Sequence, residues 1–276
     1  MAKLKEIIKG VVGYGGQTPV LRGALTALHS ARHLRHPYMR KHPFDISYGI
    51  ATSGLVPSWL LRSGSAADNH AHAYAGCQPS CLRLALATIP QPQHFTFVDL
   101  GCGKGRALVL ASELPFHRIV GIELAPSLAA IANHNAQIIK TNHPTRTEIE
   151  VVQGDATSVS LPSGNLAIFL YHSFGQELVS RMVNRIIDLT ASSNREILFI
   201  YENPVYGTLV DETKQFTRWF CATVHCTAEE QGFAPDDDDT VVVWSIGGRS
   251  VSPPPMHATH PIIVTRAGWR ASLATS

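Results

Sequence analysis

Long apolar runs are missing from this chain of 276 residues. No stretch reaches the roughly 18 apolar residues a membrane-spanning helix needs. The short apolar clusters between Met1 and Gly16 are interrupted by Lys5, Glu6 and Lys9, which does not suit a secretory leader. A cytoplasmic protein without a membrane span is therefore expected. Cysteine is scarce too: five thiols, an odd number for this length, read as reduced side chains rather than a disulfide framework. Net charge is only +2, too near zero to single out a polyanionic partner for the whole molecule. Acids are almost lacking before His42, where Glu6 alone faces eight Lys and Arg residues from Lys3 to Lys41. That arm is either a solvated extension or a contact for an acidic surface. There is no internal repeat. With 45% hydrophobic and 16% charged residues, the remainder suits a soluble domain with a substantial core.

What is present centres on Phe97-Val98-Asp99-Leu100-Gly101-Cys102-Gly103-Lys104-Gly105-Arg106, a buried-strand pattern that breaks into alternate glycines before a helical run from Ala107 to Leu114. Glycines at such a turn tolerate positive φ and let backbone approach a ligand. A second strand, Arg118 to Leu124, carries Glu123, 18 residues after Gly105, where a βαβ nucleotide site grips a ribose diol. A third, Ile149 to Gln153, runs into Gly154-Asp155, another acid at the edge where open α/β sheets bind ligands. The third glycine of a dinucleotide fingerprint is absent, because Arg106 stands in its place; that argues against NAD.

Asp99 with Gly101-x-Gly103-x-Gly105, then Glu123, then Gly154-Asp155, resembles the class I S-adenosylmethionine (SAM)-dependent methyltransferase superfamily over roughly residues 74 to 246. The resemblance implies that Asp99 and the turn Gly101, Cys102, Gly103 and Gly105 hold the methionine part of SAM. It implies further that Glu123, beside Leu124, binds both ribose hydroxyls, and that Asp155 with the Ala156 backbone recognises adenine. Tyr74, Pro79 and Ser80 correspond to an aromatic and a helix start that pack over the cofactor, although Ser80 also suits a plain helix cap.

The implied fold is α/β: a Rossmann-like, seven-stranded, mostly parallel sheet with a terminal antiparallel hairpin and helices on both faces. Residues 1–73 form a helical and loop extension able to act as a lid, 74–247 the catalytic domain, and 248–276 a tail with a weak strand at Ile262 to Thr265. Val20 to Leu34 has the spacing of an amphipathic helix, and Phe44 to Gly54 reads as an irregular loop. The hairpin joins Phe216 to Thr227 with Thr240 to Ile246 through a turn holding Asp236 to Asp239, read as a solvated charge run. His70, His72, Cys77 and Cys81 do not have a common zinc spacing, so no metal is expected.

In this superfamily the residues after the fourth strand face the methyl group, and here they are Tyr171, His172, Ser173 and Phe174. Amino methyltransferases of nucleic acid carry Asn or Asp followed by Pro-Pro and an aromatic at this point. His172 and Ser173 depart from that pattern, so nucleic acid is disfavoured as acceptor. A neutral imidazole suits a general base, which makes His172 the leading catalytic candidate, with Tyr171 and Glu202 as further polar candidates. The expected acceptor is a small molecule; a protein lysine, or a module that binds SAM without turnover, are the alternatives. No residue pattern names the methylated atom or an oligomeric state.

Overall fold

A computed structural model describes residues 40–61, 73–172, 174–233, 236–248, 260–265 and 268–274. The amphipathic pattern at Val20 to Leu34, most of the basic arm, and His70 and His72 lie outside the described residues.

The parallel half of the sheet has five strands, and three of them are apolar on both faces. β1 (Phe95–Leu100) is buried at every position, and β4 (Asn165–Tyr171) and β5 (Glu196–Glu202) nearly so, as central strands covered on both sides must be. β2 (Arg118–Glu123) and β3 (Ile149–Gln153) extend the sheet outward. β6 (Thr217–His225) and β7 (Asp238–Gly247) make the hairpin, and β7 inserts antiparallel beside β5, giving the order β3-β2-β1-β4-β5-β7-β6. The seven-stranded α/β sheet with its late antiparallel hairpin is the architecture implied by the sequence.

Side-chain alternation splits the core into two layers. Phe97, Phe169 and Ile200 point to the face covered by α2 (Pro79–Leu86), α3 (Arg106–Ala111) and α4 (Pro126–Asn142). Val98, Leu170, Tyr201 and Trp244 point to the face covered by α5 (Gln176–Ala191) and α6 (Gly207–Glu212).

Two local readings differ, and a third is extended. Phe44 to Gly54 is not irregular throughout: α1 (Pro43–Tyr48) forms there, with the His42 imidazole accepting the Phe44 N–H at 3.0 Å and Gly49 closing the helix at φ 71°. Burial and the Arg106 charge push the His42 imidazole down to about 4. The short helix α6 between β5 and β6 has no counterpart in the sequence reading. The weak strand at Ile262 to Thr265 is β8 (Ile262–Thr265), and it pairs antiparallel with β9 (Arg270–Leu273).

Candidate active site

The glycine turn is clipped to the second strand: Gly101 and Cys102 both donate to the Ile122 carbonyl, at 2.8 and 3.0 Å. Gly101, Gly103 and Gly105 all adopt left-handed φ (77°, 55° and 85°), which a β-carbon would strain. The Tyr74 ring lies on Gly103, where an added Cβ would stand 2.2 Å from it. The Tyr74 hydroxyl donates to the Thr52 carbonyl at 2.6 Å, and the Lys104 ammonium, 5.0 Å from the ring centre, donates to the Ser53 carbonyl at 2.6 Å. Segment 51–54 is thereby fastened over the turn.

Arg106, in the position of the missing glycine, completes that fastening. Its Nε donates to Thr52 Oγ1 at 2.8 Å and its Nη1 to the Cys77 carbonyl at 3.1 Å, while Nη2 stands 3.8 Å from Asp45. Asp45 in turn accepts from the backbone N–H of Thr52 and of Ser53, and from both hydroxyls.

Beneath the cover the turn meets two buried carboxylates. Glu123, 7% exposed, accepts the Gly103 N–H on Oε2 and the Ala125 N–H on Oε1, each at 2.8 Å. Burial raises its pKa against those bonds. Asp99, 3% exposed, is pushed well above the usual carboxylate range by burial and then by the Glu123 charge, with no cation beside it among the described residues. Asp155 is held by Thr157, whose N–H and hydroxyl both donate to Oδ1 at 2.8 Å, and the Ala156 carbonyl accepts from Arg185 at 2.8 Å. A donor molecule bearing a diol and positive charge fits this end, since Glu123 keeps lone pairs for hydroxyls and Asp99 lacks a counter-charge.

The other end is built from strand termini far apart in sequence. β4 delivers Tyr171, followed by His172 at φ 27°, an uncommon backbone for a non-glycine residue. The His172 ring stands 5.8 Å from Tyr206 and 6.4 Å from Trp269. After β5 the Asn203 side chain donates to the Trp269 carbonyl at 3.1 Å and accepts the Ala271 N–H at 2.8 Å, docking the β8–β9 segment on the sheet edge. Because β7 runs antiparallel, it starts at this same edge; Asn203 donates to the Thr240 carbonyl at 2.7 Å. The acidic run therefore lands beside the strand ends rather than in a solvated turn. Arg270 bonds both Asp236, at 2.9 Å, and Asp238. Asp239 accepts the Thr240 N–H at 2.8 Å and a bond from the Tyr171 hydroxyl, and burial pushes its carboxyl up to about 7.

One cavity of about 1630 Å³, counted out to its open mouth, joins the two ends. It reaches Tyr74, Asp99, Glu123, Leu124, Asp155 and Ala156 together with Gly101, Cys102 and Gly103 of the turn, and then Tyr171 and His172. Four sequence candidates lie outside its lining. Gly105 caps α3 and packs on Ala132. Pro79 and Ser80 open α2; Ser80 is not its cap, because Gln78 occupies that position, and the Ser80 N–H donates to Glu230 at 2.8 Å. Glu202, fully buried, accepts the Gln78 N–H on Oε1 at 2.8 Å. Sequence reasoning missed Asn203, Asp239, Trp269 and Arg270. The signal for Asp239 was available: an antiparallel strand beside β5 must begin at the ligand edge.

Residues 97–193 match the family model described as a methyltransferase domain. The sheet order and the acids of the first three strands are in keeping with that match, which is to a methyltransferase domain over this stretch alone. The matched stretch ends before β5, so it covers the donor half of the site and little of the other half. No curated protein matches the chain. Similar solved structures include a class I methyltransferase, described as putative, from Listeria monocytogenes (12% identity, TM-score 0.46), aligned over 64% of this chain and 63% of that one. Others are an RNA methyltransferase from Salinibacter ruber in complex with S-adenosylhomocysteine (18%, 0.41, over 66% and 99%) and a tRNA methyltransferase from Bacillus subtilis (13%, 0.45, over 63% and 68%). The RNA substrates in those names belong to those enzymes.

Proposed function

We propose that the protein transfers the methyl group of SAM to a small-molecule acceptor that enters at the Tyr171–Trp269 end of the cavity. The observation that carries this reading is one continuous cavity lined by Asp99, Glu123 and Asp155 at one end and by strand-end polar and aromatic groups at the other. SAM, when bound, supplies a methyl group on a positively charged sulfur. Glu123 holds the ribose diol, Asp99 and the glycine turn the methionine part, and Asp155 with the Ala156 N–H the adenine. Segment 51–54 and Tyr74 exclude water from the turn. His172, at the strand end nearest the acceptor half, accepts the proton that the acceptor must lose. The carboxylates of that half disfavour a phosphate-bearing acceptor by simple repulsion.

The test is calorimetry with S-adenosylhomocysteine, followed by transfer of labelled methyl from SAM into fractionated lysate. Tight binding with label in the low-mass fraction is expected. Binding without transfer into any fraction would leave a module that only holds the cofactor, and tight NADH binding would overturn the cofactor assignment.

A further inference from the structure

The acceptor half carries more negative charge than its own cations balance. Asp236, Asp238 and Asp239 line it, and Arg270 is its one lining guanidinium among the described residues. Arg270 is engaged with Asp236 and Asp238. The other lining guanidinium, Arg106, is turned to Thr52, Cys77 and Asp45. Asp239 is left with a backbone N–H and the Tyr171 hydroxyl.

A second, independent feature lies beside it. Tyr171 pairs with Glu202 across β4 and β5, and Glu202 with Val241 across β5 and β7; Asp239, two residues before Val241, shares that face. Glu202 is thus in one row with two cavity-lining residues. It is fully buried, and its Oε2 has no hydrogen-bond partner. Burial, and then the Asp239 charge, push its carboxyl well above the usual carboxylate range, and a positive charge arriving beside it favours the ionised form. The same cavity is lined by the aromatic rings of Phe174 and Trp269, the second standing edge-on to His172. Acids and aromatic faces in the wall of one cavity are the chemistry that binds a cationic nitrogen.

On the reading of this site as a methyltransferase centre, we infer that the acceptor is an alkylammonium group seated between Asp239 and the Trp269 ring, and that the enzyme methylates nitrogen. The ammonium gives one proton to the neutral His172 imidazole, which frees the nitrogen lone pair. The nitrogen–carbon bond then forms as the carbon–sulfur bond breaks, the bonding electrons leaving with sulfur. Sulfur ends as a neutral thioether and nitrogen regains the positive charge, while His172 passes its proton to water. The raised carboxyl of Asp239 adds a condition: it must be ionised to hold the ammonium, so amine binding weakens as pH falls through about 7.

The experiment uses the full chain, labelled-methyl SAM and the low-mass and protein fractions of a lysate, and reads the labelled product by cation exchange at pH 5. A basic, retained product is expected. Label in a retained low-mass compound assigns a free amine, and label in lysine after protein hydrolysis assigns a side-chain amine; either outcome supports the inference. Label only in non-basic products, such as ethers, thioethers or esters, overturns it and leaves the methyltransferase reading intact. S-Adenosylhomocysteine binding without label anywhere overturns both. With the labelled amine in hand, Asp239→Asn should raise KM about 10-fold or more, one charged hydrogen bond's worth, and leave S-adenosylhomocysteine affinity within about twofold. Asp239→Glu should recover part of the loss, and an unchanged KM in Asp239→Asn overturns the assignment.

Discussion

In the proposed function Glu123 serves both fold and cofactor with the same two oxygens, since each already accepts a backbone N–H, one from the glycine turn and one from the start of α4. Glu123→Ala should therefore weaken S-adenosylhomocysteine binding by about 1.5–3 kcal/mol, the range for a charge-assisted hydrogen bond, and also lower the melting temperature. Calorimetry and thermal unfolding of the same sample measure the two effects, and an unchanged affinity would take Glu123 out of the site. At the other end, His172→Ala should reduce methyl transfer roughly 10²–10⁴-fold with little change in cofactor affinity. Near-normal turnover would make the imidazole a wall of the cavity instead of a base.

Asp239 also has a signature in stability. Its folded-state pKa, about 7, lies above the unfolded value of roughly 3.9, so the folded protein binds the proton more tightly and loses stability as pH rises from about 4 through 7. His42 works in the opposite sense: its folded value of about 4 lies below roughly 6.5, and its contribution is lost as pH falls through that window. Asp239→Asn should accordingly gain most over the natural protein near pH 8, with the two converging toward pH 4. Denaturant unfolding at both ends of the range decides it, and a pH-independent difference would rule out the raised carboxyl.

At the scale of elements, the donor half was legible because it is local. Asp99, the turn, Glu123 and Asp155 fall at fixed intervals along β1, β2 and β3, and parallel strands joined by helices bring their carboxyl ends to one edge automatically. Two candidates that lie outside the cavity lining do so for a shared physical reason. Ser80 and Glu202 are polar residues close to the site in sequence, but the first turn of a helix holds one, and the other is fully buried in the row beside Tyr171, where one of its two oxygens accepts a backbone N–H. Four consecutive aspartates look solvated in one dimension, and Asp237 is exposed, whereas Asp236, Asp238 and Asp239 are half-buried through the antiparallel insertion of β7 and the approach of Arg270. The turn itself offers a sharp test. Gly103→Ala combines a left-handed φ with a Cβ pressed into the Tyr74 ring. It should displace that ring and its bond to Thr52, weakening S-adenosylhomocysteine binding at least as much as a lost hydrogen bond, roughly 1 kcal/mol or more. Equal affinity in the variant would show that the aromatic cover is dispensable.

For the whole molecule, the two ends of the cavity depend on different reaches of the chain. The donor end is nearly complete by Ala156, whereas the acceptor wall draws on residues as distant as Tyr171 and Arg270. No sequence periodicity announces such a wall, because it is made by β8 and β9 docking through Asn203. Arg270→Ala should release the repulsion among Asp236, Asp238 and Asp239, lowering turnover while donor affinity stays within about twofold. A parallel fall in both would mean that the docked segment supports the entire cavity.

The late position of Arg270 also bears on synthesis. Domains form on the ribosome from the N-terminal side onward. The strands that hold the donor emerge roughly a hundred residues before the guanidinium that fastens the acceptor wall. A chain interrupted in that interval would carry a donor pocket with an unfinished mouth. Until Arg270 has emerged, Asp236 and Asp238 stand without the guanidinium that fastens them.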